Sequence, residues 1–192
     1  YGAFFVVATN LLVVLSHQAG YLKANAHLKN TRLAAVSALL ADVYDKQILS
    51  ILYPRLHQLT KNNEVLANRK LSFHSLNWAA LPGKNLTKDF DLPLSPHCHG
   101  YLDQAQLVES DKNGYQLRGW AVDKATTKAA DIVVLATEGH SVVGIAFAGR
   151  PRADVRQHYP NAIDSGWFGH AKVKPGQTIK AYALVNDNRS VC

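Results

Sequence analysis

The segment Arg150-Pro151-Arg152-Ala153-Asp154 is where residue type and spacing come closest to a binding chemistry. Arginine carries a planar fork of N–H donors that grips carboxylates and phosphates through two parallel bonds. Arg150 or Arg152 paired with Asp154 would brace a loop; the alternative is a loop that receives an anionic or sugar group. Trp120, Trp167 and Tyr159 form the second candidate set, because an aromatic face suits stacking on a sugar ring while keeping a polar handle. The competing expectation is burial in a β core, since Trp120 stands in mid-strand. His97-Cys98-His99 puts three ligand types in a row. Adjacent ligands do not close a tetrahedral site without a distant partner such as His158 or His170, so no metal is expected. Cys98 and Cys192 flank the C-terminal half, either as a disulfide in an oxidising compartment or as two unpaired thiols.

No nucleophile elbow, P-loop or dinucleotide fingerprint occurs in the sequence. His57 and Glu64 are seven residues apart and read as solvated side chains on a helix. No catalytic residue and no cofactor are expected, and the residual enzyme reading is a hydrolase with His and Asp in a linker cleft.

Positioning these residues falls to two kinds of element. Leu22, Ala26, Leu33, Val36, Leu40 and Val43 recur at helical spacing. A second helix is expected from Asp45, a plausible N-cap, to Leu52, with Tyr53-Pro54 as its break. A third follows Pro54, either continuous or split at Thr60-Lys61-Asn62-Asn63. Residues 76–96 form an irregular linker rich in Pro, where Trp78 is exposed or covers a domain face. From 97 onward the pattern is strand-like: a short strand near Tyr101–Val108, then Tyr115–Asp123, Asp131–Thr137, His140–Ala148, Gly166–Val173 and Thr178–Val185. Glu138-Gly139 joins two of these as a hairpin, and Lys174-Pro175-Gly176-Gln177 is a turn. The expected fold is α+β, with N-terminal helices followed by a small antiparallel β-sandwich over 97–192.

The chain has 192 residues, two Cys and no Met, and a formal charge of +7. That composition excludes a disordered, collagen-like or disulfide-dense chain. The basic excess lies in residues 1–76, where eight Lys and Arg face three acids. No compact basic run or RNA-binding signature accompanies it, so nucleic acid is not an expected partner. Residues 1–22 carry no charged side chain, and 1–15 read YGAFFVVATNLLVVL. Three readings fit this run: a truncated transmembrane helix over 1–20, a signal peptide lacking its basic start, or a buried core helix. The first agrees with a chain that begins at Tyr1 without Met, as a fragment would, and with the basic flank of a helical stalk over 21–75.

The series Leu117-Arg118-Gly119-Trp120-Ala121-Val122-Asp123, Glu138-Gly139, Arg150-Pro151-Arg152-Ala153-Asp154-Val155 and Ser165-Gly166-Trp167 resembles the C-terminal β module of bacterial multi-pass membrane proteins, many of them glycosyltransferase-like or uncharacterised. Leu52-Tyr53-Pro54 and the Cys-bearing linker are similar to the helix pair and linker that precede that module. Trp167 stands where Phe is commoner in the pattern. The resemblance implies a non-catalytic accessory module on the non-cytoplasmic side of the inner membrane, anchored in the lipid bilayer through residues 1–15. Its implied contacts are the remaining membrane domain of the same protein and a glycan. The positive stalk argues for the opposite orientation, since basic residues favour the cytoplasmic side. The alternative is a free-standing soluble sugar- or protein-binding protein.

Overall fold

The computed structural model describes residues 24–52, 55–88, 98–185 and 190–191. The expected membrane helix over 1–20 and the break at Tyr53-Pro54 lie outside them. Among the described residues no helix is long and apolar enough to cross a membrane.

Residues 24–40 form helix α1, which is followed by α2 (Lys46–Leu52) and α3 (Leu56–Asn68). Asp45 caps α2 as its type predicts: its Oδ1 accepts the Ile48 N–H at 3.1 Å. Helix α3 runs unbroken through the polar stretch 60–63, with Leu59 as its buried anchor. Leu59 packs with Ala35, Ala38 and Leu49, which ties the three helices together. Two 3-10 turns, Ser72–Ser75 just before the linker and Asn77–Ala80 within it, lead into buried Leu81 and Leu86.

The β region contains β1 (Cys98–Val108), β2 (Asp111–Asp123), β3 (Ile132–Thr137), β4 (Val142–Arg150), β5 (Gly166–Lys172), β6 (Ile179–Val185) and the two-residue β7 (Ser190–Val191). A short helix, α4 (Ala153–His158), interrupts the strands between β4 and β5. All pairings are antiparallel, in the order β1-β2-β5-β4-β3-β6-β7. The fold is therefore α+β as expected, but the strands form one curled sheet and not the two stacked sheets of a sandwich. The reason is long-range: β5 inserts between β2 and β4, so strands distant in sequence join a single ladder. Curling brings β6 within contact of β1 and β2 across the concave side.

Two cores result. The concave side is filled by Leu117, Val133, Leu135, Trp167 and a set of alanines, among them Ala121, Ala146, Ala171 and Ala183. Small residues there let the sheet curl around one indole. The convex side is covered by α1 and the linker: Leu33, Val36, Leu40 and Trp78 pack on Val134, Ile145 and Phe147. Trp78 meets the Phe147 ring edge-on at 5.0 Å, so it covers a sheet face, one of its two expected places.

Candidate functional site

On the convex face, beside α1, lies an open cavity of about 620 Å³. Its walls include Asn30 of α1, Asp103 and Gln104 of β1, Arg118 of β2, and Arg150 and Arg152 at the end of β4. Local backbone features make the space. The β4–β5 register slips between Ala148 and Arg150, and Gly149 takes φ +130° at that bulge. A bulge re-aims the residue that follows it, and here that residue is Arg150. The Asn30 Nδ2 donates to the Gly149 carbonyl at 3.1 Å, so α1 holds the bulge in place. Opposite it stands Gly166, where a Cβ would come within 2.8 Å of the Arg150 carbonyl oxygen and 3.0 Å of the Arg152 side chain. The missing side chain gives both arginines their room.

The three arginines play different parts. Arg152 is fully engaged: Nε and Nη2 donate to the two Asp154 oxygens at 2.9 and 2.7 Å, and Nη1 donates to Asp103 Oδ2 at 2.5 Å. Hydrogen bonds from Arg152 hold the Asp154 carboxyl well below the usual range, and Asp154 in turn leads the effects that raise the guanidinium pKa. This pair is the brace expected from the sequence, with Arg152 and not Arg150 as its donor. Arg118 and Arg150 have no carboxylate partner among the described residues. Both lie against one aromatic ring, with their guanidinium carbons 5.4 and 4.5 Å from the Phe168 centroid. Arg118 is exposed, whereas Arg150 is half-buried. Partial burial, followed by the like charge of Arg118, lowers the Arg150 pKa. The cavity lining carries three positive charges against the one carboxylate of Asp103. Two unpaired guanidiniums on a common ring can hold a carboxylate or a phosphate.

The aromatic set divides. Trp167 is 2% exposed and packs in the concave core, where it also borders the arginine cavity and, with Trp120, a further cavity of about 490 Å³. Trp120 and Tyr159 stay together in a second cleft of about 420 Å³ with His99, Asp154, Val155 and His158. His99 meets the Trp120 ring edge-on at 5.0 Å and shares a 2.9 Å hydrogen bond with the Tyr159 hydroxyl. Cys98 is disulfide-bonded; Cys192, its expected partner, lies outside the described residues, as does His97.

A Ser, a His and an Asp also meet, though not as a nucleophilic triad. Ser37 Oγ donates to the Ile145 carbonyl at 2.5 Å and accepts the backbone N–H of His170 at 2.7 Å. The His170 Nε2 faces Asp45 Oδ2 at 2.9 Å, and Gln116 Nε2 donates to the same oxygen at 2.6 Å. His170 is 0% exposed, so the cluster offers no substrate access and fastens helices to sheet. His74, beside the linker, has its pKa lowered by partial burial, but its partner is the Asn63 side-chain oxygen and not an acid. Among the described residues the His–acid contact within hydrogen-bond distance is the buried His170–Asp45 pair, whereas His99, His158 and Asp154 line the open second cleft together. His57 and Glu64 are both exposed.

Sequence reasoning gave no binding role to Arg118, Gly149 or Asn30, and weighed His99 only as a metal ligand. Strand alternation places Arg118 on the same side as Trp120. Its proximity to Arg150 depends on β5 lying between β2 and β4, which no local pattern announces.

Fold and site together define an α+β protein with a curled antiparallel sheet and an arginine-lined cavity where a helix crosses it. Comparisons with known protein families, with curated proteins and with solved structures find no match.

Proposed function

We propose that the chain is a non-catalytic binding module of a bacterial membrane glycosyltransferase-like protein, and that the Arg118–Arg150 cavity takes an anionic group of its ligand. The observation that carries the binding reading is the half-buried Arg150 beside Arg118, neither with a carboxylate partner among the described residues. Bringing two like charges together without a carboxylate costs free energy, and an arriving anion removes that cost. The membrane part rests on the motif resemblance and on the apolar run 1–15, read as the end of a membrane helix. The disulfide at Cys98 supports an oxidising, non-cytoplasmic location.

The test is titration of the full chain with sodium D-glucuronate and with inorganic phosphate, followed by NMR. One of the two is expected to saturate the protein and to shift the Arg118 and Arg150 side-chain signals. Arg150→Gln is expected to weaken that binding at least tenfold. Equal binding by wild type and Arg150→Gln, or none by either, overturns the reading.

A further inference from the structure

One ion pair links the two cavities: Arg152 lines the arginine cavity, Asp154 lines the aromatic cleft, and a bidentate hydrogen bond joins their side chains. On one side are the guanidiniums of Arg118 and Arg150, which have no carboxylate partner among the described residues. On the other, Trp120, His99 and Tyr159 put aromatic surface next to three polar groups: the Asp154 carboxylate, the His158 imidazole and the Tyr159 hydroxyl. The Asp154 side chain is 65% exposed even while bound to Arg152, so its remaining lone pairs face solvent. Aromatic faces beside a few convergent acceptors match the chemistry of a pyranose ring, which has one apolar C–H face and a rim of hydroxyl donors. Neither cavity alone specifies both a charge and a sugar.

We infer that the two cavities are adjoining subsites for one acidic oligosaccharide: a uronic acid or phosphorylated unit sits on Arg118 and Arg150, and the neighbouring pyranose stacks in the Trp120–His99–Tyr159 cleft. The inference rests on the anion-binding reading and adds the class of ligand. The Arg152–Asp154 brace then has a role in recognition, because it fixes the distance between the charged unit and the stacked one. Asp154 is a hydroxyl acceptor in this scheme, and its carboxylate stays ionised because Arg152 holds its pKa down.

The experiment compares D-glucuronate with tetrasaccharides of hyaluronan and of galacturonate, each titrated into the full chain. At least one tetrasaccharide is expected to bind ten times or more tighter than the monosaccharide and to shift the Trp120 indole N–H signal. His99→Ala and Trp120→Ala are expected to remove that tenfold gain while leaving glucuronate affinity unchanged. Exposed His99 serves as the safeguard should the Trp120 variant fail to fold. A tetrasaccharide that binds no tighter than glucuronate, or whose gain survives His99→Ala, overturns the two-subsite inference and leaves the anion site standing. If Arg150→Gln leaves glucuronate binding unchanged, the anion reading falls and this inference falls with it.

Discussion

At the scale of single residues, the division of labour among three arginines decides what this surface can do. Arg152 has three hydrogen bonds to two carboxylates, and such an arginine has little left to offer a ligand. Arg150, two residues earlier, has none of these, because the bulge at Gly149 turns it toward Phe168 and Arg118. Gly166 is the silent member of the site. In Gly166→Ala the new methyl would press on the Arg150 backbone and the Arg152 stem, and overpacking of that kind costs about 1–3 kcal/mol. Urea denaturation is expected to show a lower midpoint for this variant, with weaker anion binding where the protein is folded. An unchanged midpoint would mean that the strand end yields freely.

At the scale of elements, the join between helices and sheet depends on polar groups buried under α1 and ahead of α2. Ser37 bridges β4 and β5 by accepting from one backbone and donating to the other. Asp45 caps α2 and holds His170 and Gln116 of the sheet. Burial raises the Asp45 pKa, but the hydrogen bonds from His170, Gln116 and Ile48 outweigh it, and the net shift is downward. A carboxyl whose folded pKa is depressed stabilises the fold above its unfolded pKa, and that stability is lost as pH falls through the folded value. Stability of the wild type is therefore expected to drop as the solution is acidified below about pH 4, the ordinary aspartate range. Asp45→Ala leaves the buried His170 Nε2 unpaired and is expected to cost about 3 kcal/mol at neutral pH. Its stability is expected to vary less with acid. Denaturant midpoints measured at neutral and acid pH check both statements; parallel curves for the two proteins would show that Asp45 is not the linked group.

For the whole molecule, the cross-link at Cys98 matters most. Cys98 opens β1, an edge strand whose residues are largely exposed. A disulfide from there to Cys192 would close nearly the whole sheet into one covalent loop. Chain entropy gives such a loop roughly 3–5 kcal/mol, often less in practice. The non-reduced protein is expected to show no free thiol by mass spectrometry, and reduction is expected to lower its melting temperature. Two titratable thiols in the non-reduced chain would remove both the bridge and the argument for an oxidising compartment.

Much of this was legible in the linear order of residues. Strand positions, the 138–139 hairpin, the Asp45 cap and the helical period of 24–40 all follow from local propensity and side-chain periodicity, which act within a few residues. The Arg152–Asp154 brace was likewise readable, because its two members are neighbours on one loop. Three things were decided only in three dimensions. The strands joined one curled sheet because β5 lies between β2 and β4. Trp167 and Trp120, alike in type and strand setting, lie on opposite faces because the β2–β5 register pairs Trp167 with Gly119 and Trp120 with Gly166. Arg118 and Arg150 met across Phe168, thirty-two residues apart in sequence, through that same β5 insertion. Local rules fix an element's type and its faces. Which faces meet depends on strand order, and strand order is settled by how the whole chain buries its apolar surface.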